Sequence, residues 1–224
     1  DKKLKTPTYD IIEGLIIHSF PYKESHKMVH VFTKNQGVLS LMANGARKPK
    51  SKLRGKVETL THMMAWIQKG KKNPILTLNE VQVKEPFFSK FSFDAFWETL
   101  PFLKILRFFH FTHEEENEKI FTMLLKFLFA LTQAPHQKSR DFLKQVFVLK
   151  AFFIIGMISN PRFCSVCGKH PKNAVILDPD DFFITCLACA DNSPNSLLNF
   201  GFYQKLVEIL YLKFDDLIYF MLDS

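Results

Sequence analysis

The chain has 224 residues, a net charge of +8 and 47% hydrophobic residues, which suits one large or two small folded domains and excludes a disordered protein. The charge is uneven, because residues 1–72 hold 15 Lys and Arg against 5 Asp and Glu, whereas residues 73–224 hold 15 against 17. The first stretch, DKKLKTPTYD, is polar and predicts no secretory signal, and the longest apolar run, 146–158, is too short for a membrane span. We therefore expect a cytoplasmic protein, with no membrane partner, whose first third attracts polyanions.

Residues 8–83 contain five apolar runs of strand length, separated by turn signals. The runs are Glu13–Phe20, Lys27–Thr33, Gly37–Ala43, His62–Gln68 and Ile75–Val83. Short strands with no long helix between them predict a small barrel or sandwich. A five-stranded OB-fold barrel is the economical choice over residues 1–83, and an SH3-like barrel is the alternative that the pattern leaves open.

A strongly basic segment, residues 44–56 (NGARKPKSKLRGK), follows the third predicted strand. Six of the ten residues from Arg47 to Lys56 are Lys or Arg, and Gly45, Pro49 and Gly55 disfavour a regular helix or strand. The segment predicts a flexible cationic loop for polyanions, or else a solvated loop with a chance run of charge. The candidate nucleic-acid contacts are Lys34, Arg47, Lys48, Lys50, Lys52, Arg54, Lys56, Lys69, Lys71 and Lys72.

Three aromatic residues of the predicted barrel are candidates for stacking on bases. They are Tyr22, Phe32 and Trp66. OB-fold barrels bind single strands across a strand face with such platforms. A Trp or Phe on a barrel strand is more often part of the core, so no single one of the three is assigned.

After Pro86 the periodicity of the apolar residues becomes helical. The pattern predicts helices at about 93–109, 112–132, 139–159, 200–211 and 215–222, with a kink or break at Pro101 and a capping box at Thr112–Glu115. We therefore expect an α+β protein in which the barrel precedes a helical domain, residues 84–224.

The four cysteines form two Cys-x-x-Cys pairs with 18 residues between them, within an insertion at about 160–192. This spacing is typical of a structural zinc site with four thiolates, Cys164, Cys167, Cys186 and Cys189. Buried cysteines and redox pairs are the alternatives. His170 is a conceivable substitute ligand, but an exposed loop histidine is the preferred interpretation.

The first domain resembles the N-terminal domain of the bacterial RecO family of recombination mediators. The resemblance is carried by PYKES at 21–25, by VFTKNQGVLSLMANGARKPKSKLRG at 31–55 and by ILTLNEVQV at 75–83. Asn44 stands where the family usually has Lys, and His26 where it usually has Asp. The cysteine tetrad also resembles many members, although Phe183–Thr185 replaces their usual Gly-Gly.

This resemblance implies a nucleoid-associated protein of DNA repair and homologous recombination. Its members bind single- and double-stranded DNA, anneal complementary strands, and act with RecR and the single-strand-binding protein so that RecA can load. Zinc is the only cofactor that the resemblance implies.

Enzymatic motifs are not recognisable in the sequence. It has no Gly-x-x-x-x-Gly-Lys loop and no Gly-x-Ser-x-Gly elbow, and His113–Asn117 lacks the second histidine of a metalloprotease helix. We therefore expect a protein without catalytic activity. Two other classes stay open, namely an RNA- or ribosome-binding module and a nuclease whose carboxylates, such as Asp178 and Asp180, assemble only in the fold.

Overall fold

The computed structural model describes residues 9–69, 75–107, 114–178, 183–190, 197–214 and 216–217. Backbone contacts divide the chain into two compact units, Asp1–Gln133 and Ala134–Ser224. Among the described residues, the first unit includes the barrel and the helices Phe93–Leu103 and Glu114–Gln133, and the second includes the helices Gln137–Ile154 and Phe200–Tyr211 and a small sheet. The domain boundary expected between residues 83 and 84 stays a prediction. The division into compact units comes later in the chain, after Gln133, so the first two helices belong to the same unit as the barrel.

The first unit is built on a closed five-stranded barrel in the order β1-β2-β3-β5-β4. Neighbouring strands are antiparallel, except for the parallel pair β3 and β5. This topology is that of an OB-fold, so the fold class is confirmed and the choice over the SH3-like barrel is settled. The strands are β1 (Asp10–Tyr22), β2 (His26–Thr33), β3 (Gly37–Ala43), β4 (Thr61–Lys69) and β5 (Leu76–Pro86).

Alternating side chains of these strands fill the barrel, as the period-two pattern predicts. Val29, Val31 and Leu41 are completely buried within one cluster of apolar side chains. Gly14 allows β1 and β2 to approach closely, because a Cβ atom at this position would collide with the side chain of Val31. All five predicted strands are present, and β1 and β5 extend beyond the predicted limits.

Two helices complete the first unit, α1 (Phe93–Leu103) and α2 (Glu114–Gln133). Ser92 caps α1 by accepting a hydrogen bond from the Ala95 amide at 3.3 Å. The regular helix ends two residues after Pro101 and continues as a 3-10 turn, Lys104–Arg107, which fits the break expected there. The predicted capping residue Thr112 lies outside the described residues.

The second unit contains α3 (Gln137–Ile154), α4 (Phe200–Tyr211) and a sheet of three short strands. The strands are β6 (Val175–Leu177), β7 (Ile184–Cys186) and β8 (Leu197–Leu198), in the order β7-β6-β8. Asn199 caps α4 by accepting from the Phe202 amide at 2.8 Å. The helix predicted at 215–222 lies almost wholly outside the described residues. Within the described part of the chain, no helix combines the length and apolar character that a membrane crossing requires.

Candidate nucleic-acid interface and metal centre

The basic segment 44–56 leaves β3 as a series of turns that is anchored to the barrel. Ala46 and Leu53, together with Val57 just beyond the segment, are buried in the same apolar cluster as the strands. The predicted cationic loop is thus anchored to the barrel, a feature that the sequence-based prediction did not include. Its apolar residues are spaced between the lysines and arginines, so one side of the segment packs on the barrel while the other faces solvent.

The charged side of this segment is exposed and unpaired. All six of its cations have exposed side chains, and among the described residues none forms an ion pair with a carboxylate. These cations are Arg47, Lys48, Lys50, Lys52, Arg54 and Lys56. Unpaired Lys and Arg side chains at a barrel end are available to phosphate groups.

Arg47 has a second role that its place in a charge run does not predict. Its guanidinium donates to the carbonyl oxygens of Lys23 and Glu24, at 3.2 and 2.9 Å. Its backbone amide donates to Ser25 at 3.0 Å. Arg47 therefore fastens the turn between β1 and β2, where Lys23 has a positive φ of 50°. We classify it as a positioning residue for this turn.

His26 provides a further link between this turn and the basic segment. Its Nδ1 atom accepts a hydrogen bond from the Gly45 amide at 3.0 Å. An Asp carboxylate could accept the same bond, which gives a physical reason why His is tolerated at this position. The two links fix where the basic segment leaves the barrel.

The strand register decides which candidate cations lie at one end of the barrel. Ala43 pairs with Lys27, which follows the β1–β2 turn. Leu41 pairs with Leu76, which in turn pairs with Lys69. The β1–β2 turn, the start of the basic segment and Lys69 therefore share one end. Lys71 and Lys72, which follow Lys69, lie outside the described residues.

Lys34 lies at the opposite end of the barrel, in the turn between β2 and β3. Its ammonium forms an ion pair with Glu118 of α2 at 2.9 Å, and this contact raises the pKa of Lys34. The structure thus does not bring Lys34 together with the other candidate contacts. The order of the predicted strands already implies this separation, because Lys34 precedes β3 and the basic segment follows it, at the other end of the same strand.

The aromatic candidates differ in their accessibility. Phe32 is completely buried, with its ring centroid 6.1 Å from that of Phe121 in α2, so it is part of the core and cannot stack on a base. Trp66 and Tyr22 are partly buried on β4 and β1. The Lys23 ammonium lies 5.5 Å from the centre of the Tyr22 ring, which places a cation beside this aromatic side chain.

A pocket of about 270 Å³ opens beside the turn between β2 and β3. Glu13 lines this pocket, and its carboxylate accepts hydrogen bonds from His62 at 3.0 Å and from Lys84 at 2.7 Å. Burial raises the pKa of Glu13, but the bonds from Lys84 and His62 outweigh this effect and hold it below its ordinary value. Because Glu13 is already paired, we interpret the network as a polar link between β1, β4 and β5.

The four cysteines come together in the second unit, and their sulfur atoms all lie within 4.8 Å of one another. The Sγ atoms of Cys167 and Cys186 are 3.9 Å apart. A zinc ion bound at about 2.3 Å by each of four sulfurs would set them about 3.8 Å apart, so the donors and their spacing fit a tetrahedral ion. Gly168, at a φ of 68°, donates to the Cys164 carbonyl at 2.9 Å and makes the tight turn of the first pair.

The local environment shifts the pKa values of two of these cysteines in opposite directions. Burial raises the pKa of Cys164, but hydrogen bonds from the backbone of Cys167, Cys186 and Val166 outweigh it and lower the pKa to about 6. Hydrogen bonds with the Cys186 and Cys167 side chains raise the pKa of Cys189 to about 12. Four sulfurs at this spacing cannot all carry negative charge alone, and a divalent cation would relieve their mutual repulsion.

The other candidate ligands stay outside this cluster. His170 places its Nδ1 atom 2.8 Å from the Arg162 carbonyl oxygen, as expected of an exposed loop histidine. Among the described residues, the cysteines are the only group of three or more His, Cys, Asp or Glu side chains close enough to share an ion. Asp178 is exposed after β6, and Asp180 lies outside the described residues. The described part of the chain therefore offers no carboxylate cluster to the nuclease alternative.

Comparison with known proteins agrees with this architecture. Residues 11–87, which span the barrel, match the family model described as Recombination protein O N terminal. A DNA repair protein RecO from Halalkalibacterium halodurans is 26% identical over 204 residues, covering 89% of this chain and 76% of that protein. The chain is therefore similar to RecO proteins, and its residues 11–87 match the N-terminal domain of that family.

Two further RecO proteins show how the similarity is distributed. The one from Dechloromonas aromatica is 25% identical over 177 residues, covering 75% of this chain and 65% of that protein. The one from Bacillus cytotoxicus is 41% identical over 59 residues, which is 26% of this chain and 24% of that protein.

The departure from the usual RecO pattern before the second cysteine pair has a structural explanation. Ile184–Cys186 forms β7, which pairs with β6, and the Ile184 side chain is buried. The Ser165 amide donates to the Ile184 carbonyl at 2.8 Å, so this strand also holds the first cysteine pair in place. A short strand therefore brings the second pair to the metal centre where a Gly-Gly turn is usual.

Proposed function

We propose that this chain, which is similar to RecO proteins, is a DNA-binding recombination mediator without catalytic activity. The observation that carries the proposal is the unpaired cationic surface of the segment 44–56 at one end of the OB-fold barrel. The matched proteins are named DNA repair proteins, which supports DNA as the polyanion and repair as the process. In this proposal the chain binds single- and double-stranded DNA and anneals complementary strands.

The physical basis of binding is the attraction between these cations and the phosphate backbone. Lys side chains reach phosphates as point charges and carry no information about sequence, so they grip and position the strand. Each neutralised phosphate releases condensed counterions, which makes the affinity depend on salt. Bound to DNA in this way, the mediator would act with RecR and the single-strand-binding protein so that RecA can load. We expect this to take place in the cytoplasm, at the nucleoid.

Zinc at the four cysteines would have a structural role. A closed shell of four thiolates leaves no open position for a substrate or water. Cys164, Cys167, Cys186 and Cys189 would hold the ion, and its charge would stabilise their thiolate forms. The sulfurs lie near the tetrahedral spacing, so zinc would bind the folded arrangement without a large rearrangement of the cysteines.

The proposal is tested by the salt dependence of binding to single-stranded DNA. Arg47 should be left intact, because it also fastens the β1–β2 turn. The triple variant Lys48→Gln, Lys50→Gln, Lys52→Gln removes three exposed charges from the segment. If all three contact phosphates, the slope of log K against log salt should become shallower by about 2.

The control is a second triple variant, Lys104→Gln, Lys119→Gln, Lys138→Gln, whose residues are exposed and lie outside the barrel. Both variants lose the same net charge, so a long-range effect of charge would change both slopes equally. An equal change, or no change in either, would contradict the assignment of this segment. Competition with RNA of the same sequence tests the alternative function, since a strong preference for RNA would favour the RNA-binding module.

A further inference from the structure

The segment between α3 and β6 is a second basic region, in the unit that is not basic overall. Residues 160–173 contain no Asp or Glu. Their cations, Arg162, Lys169 and Lys172, are exposed, as is His170. This segment also carries the first cysteine pair, so the metal centre would hold its backbone in place.

Among these cations, Arg162 has a side chain that is held in place by an aromatic ring. Its guanidinium lies 3.7 Å from the centre of the Tyr211 ring, at the end of α4. The Tyr211 hydroxyl donates to Asn160 Oδ1 at 2.9 Å, and the same oxygen accepts the Arg162 amide at 3.1 Å. Asn160 thus ties together the ring and the backbone of the arginine that stacks on it.

This stack fixes the plane of an arginine that has no acidic partner. Among the described residues, no carboxylate forms an ion pair with Arg162. A guanidinium held flat on an aromatic ring keeps its N–H donors in a rigid fork that matches the oxygens of a phosphate. The fork therefore loses little conformational entropy when it binds a phosphate.

An aromatic pair lies next to the stacked arginine in the chain. The Phe163 and His170 rings have centroids 4.5 Å apart, and 39% of Phe163 is exposed. His170 Nδ1 lies 2.8 Å from the Arg162 carbonyl oxygen, which requires Nδ1 to be the protonated donor. This bond couples the orientation of the histidine ring to the backbone of Arg162.

We propose that Arg162, Phe163 and His170 form a second contact site for single-stranded nucleic acid, on the metal-bearing unit. Arg162 binds a backbone phosphate, and the exposed Phe163 face stacks on a base. A positively charged surface with interleaved aromatic rings is the combination that binds single strands without reading sequence. The inference rests on the proposed function, because it assigns a second surface to the same ligand.

The alternative is that Arg162 stacks on Tyr211 only as packing, with its charge in solvent. The binding and packing interpretations predict different effects on DNA affinity when Arg162 is substituted. Arg162→Gln removes the charge, Arg162→Lys keeps the charge but loses the planar fork, and Lys138→Gln is a matched control. Lys138 is exposed at the beginning of α3, whereas Arg162 follows the end of this helix.

Binding of fluorescein-labelled oligo(dT) to the full chain, with its metal content measured for each variant, tests the site. Arg162→Gln should weaken binding by about tenfold, the effect expected for one hydrogen bond between charged groups. Arg162→Lys should fall between Arg162→Gln and the unchanged protein, and Lys138→Gln should bind like the unchanged protein. Phe163→Leu should also weaken binding, because it removes a stacking face.

Unchanged affinity in Arg162→Gln, with normal metal content, would overturn this inference. Affinity in Arg162→Lys equal to that of the unchanged protein would overturn the role of the fork. These failures are distinguishable from failure of the proposed function, since the triple lysine variant of the barrel is measured in the same assay. Weaker binding in that triple variant alone would support the barrel interface and refute the second site.

Discussion

Lys150 is a buried cation whose only hydrogen-bond partners among the described residues are backbone carbonyls. Its ammonium donates to the carbonyl oxygens of Leu210 and Leu212, at 3.0 and 2.6 Å, and lies 5.9 Å from the centre of the Phe214 ring. These carbonyls are at the C-terminal end of α4, where the helix dipole favours a positive charge. Burial nevertheless lowers the pKa of Lys150 from 10.5 to about 8.

This lowered pKa predicts how stability depends on pH. Between about pH 8 and 10.5 the unfolded chain binds more protons at Lys150 than the folded chain, so the free energy of unfolding should rise with pH in this window. The rise should reach at most about 3 kcal/mol, and it should be absent below pH 8, where both states are protonated. Urea unfolding followed by the helical circular dichroism signal, from pH 7 to 10, measures it.

Lys150→Met is the control for this prediction, because Met has a similar length and no proton to lose. Its unfolding free energy should rise less between pH 8 and 10 than that of the unchanged protein. Parallel pH profiles for the two proteins would show that Lys150 keeps its ordinary pKa in the fold, and would refute the prediction.

The docking of α2 on the barrel depends on one buried amide. Asn117 is 1% exposed, and its Nδ2 atom donates to the carbonyl oxygens of Thr33, at 2.8 Å, and Lys34. One turn further, Phe121 packs on Phe32. The same helix also reaches Lys34 through Glu118 at its surface. A buried hydrogen bond and an exposed ion pair thus join the same two elements.

These two contacts should contribute very differently to stability. Asn117→Leu leaves the buried Thr33 carbonyl without this donor, which should cost about 1–3 kcal/mol of unfolding free energy. Glu118→Gln breaks an ion pair whose side chains are 37% and 52% exposed, so it should cost less unfolding free energy than Asn117→Leu. Denaturant unfolding of both variants checks the order. A larger cost for Glu118→Gln would contradict the role given to Asn117.

At the scale of elements, the sequence predicts long periodic segments and misses short ones. The five barrel strands and the helix 200–211 were recognisable because several apolar residues repeat at one period. The strands β6, β7 and β8 have three, three and two residues, too few for any period to be seen. The anchoring of the basic segment was missed for another reason, since Ala46 and Leu53 are isolated apolar residues within a charge run.

At the scale of the whole molecule, the cysteine cluster and the Arg162 site differ in how much of each could be predicted from the sequence. The cluster of four cysteines was predictable, because each Cys-x-x-Cys pair is local and only two pairs have to meet. The partnership of Arg162 with Tyr211 was not, since the two residues are 49 positions apart and the contact exists only once α4 has packed. The separation of Lys34 from the basic segment was predictable, because the two lie at opposite ends of one strand, β3.

The barrel and the region around the four cysteines differ in the size of their apolar clusters, and this difference predicts the effect of metal removal. The barrel cluster contains 14 buried apolar side chains, whereas in the described part of the chain the cluster beside the cysteines has three, Val175, Ile184 and Tyr203. A core of this second size cannot offset the entropy of ordering the surrounding loops. The protein as purified should carry one zinc ion per chain, and chelation should unfold the region 164–189 selectively.

Hydrogen exchange of the full chain before and after chelation measures this effect. Protection should be lost at β6, β7 and the cysteine turns, while the strands β1–β5 keep theirs because their core needs no ion. Cys189→Ser should reproduce the loss without a chelator, since it removes one of the four ligands. Full protection of 164–189 in a metal-free sample would show that the cysteines serve packing alone. Loss of protection in the barrel as well would show that the two units do not unfold independently.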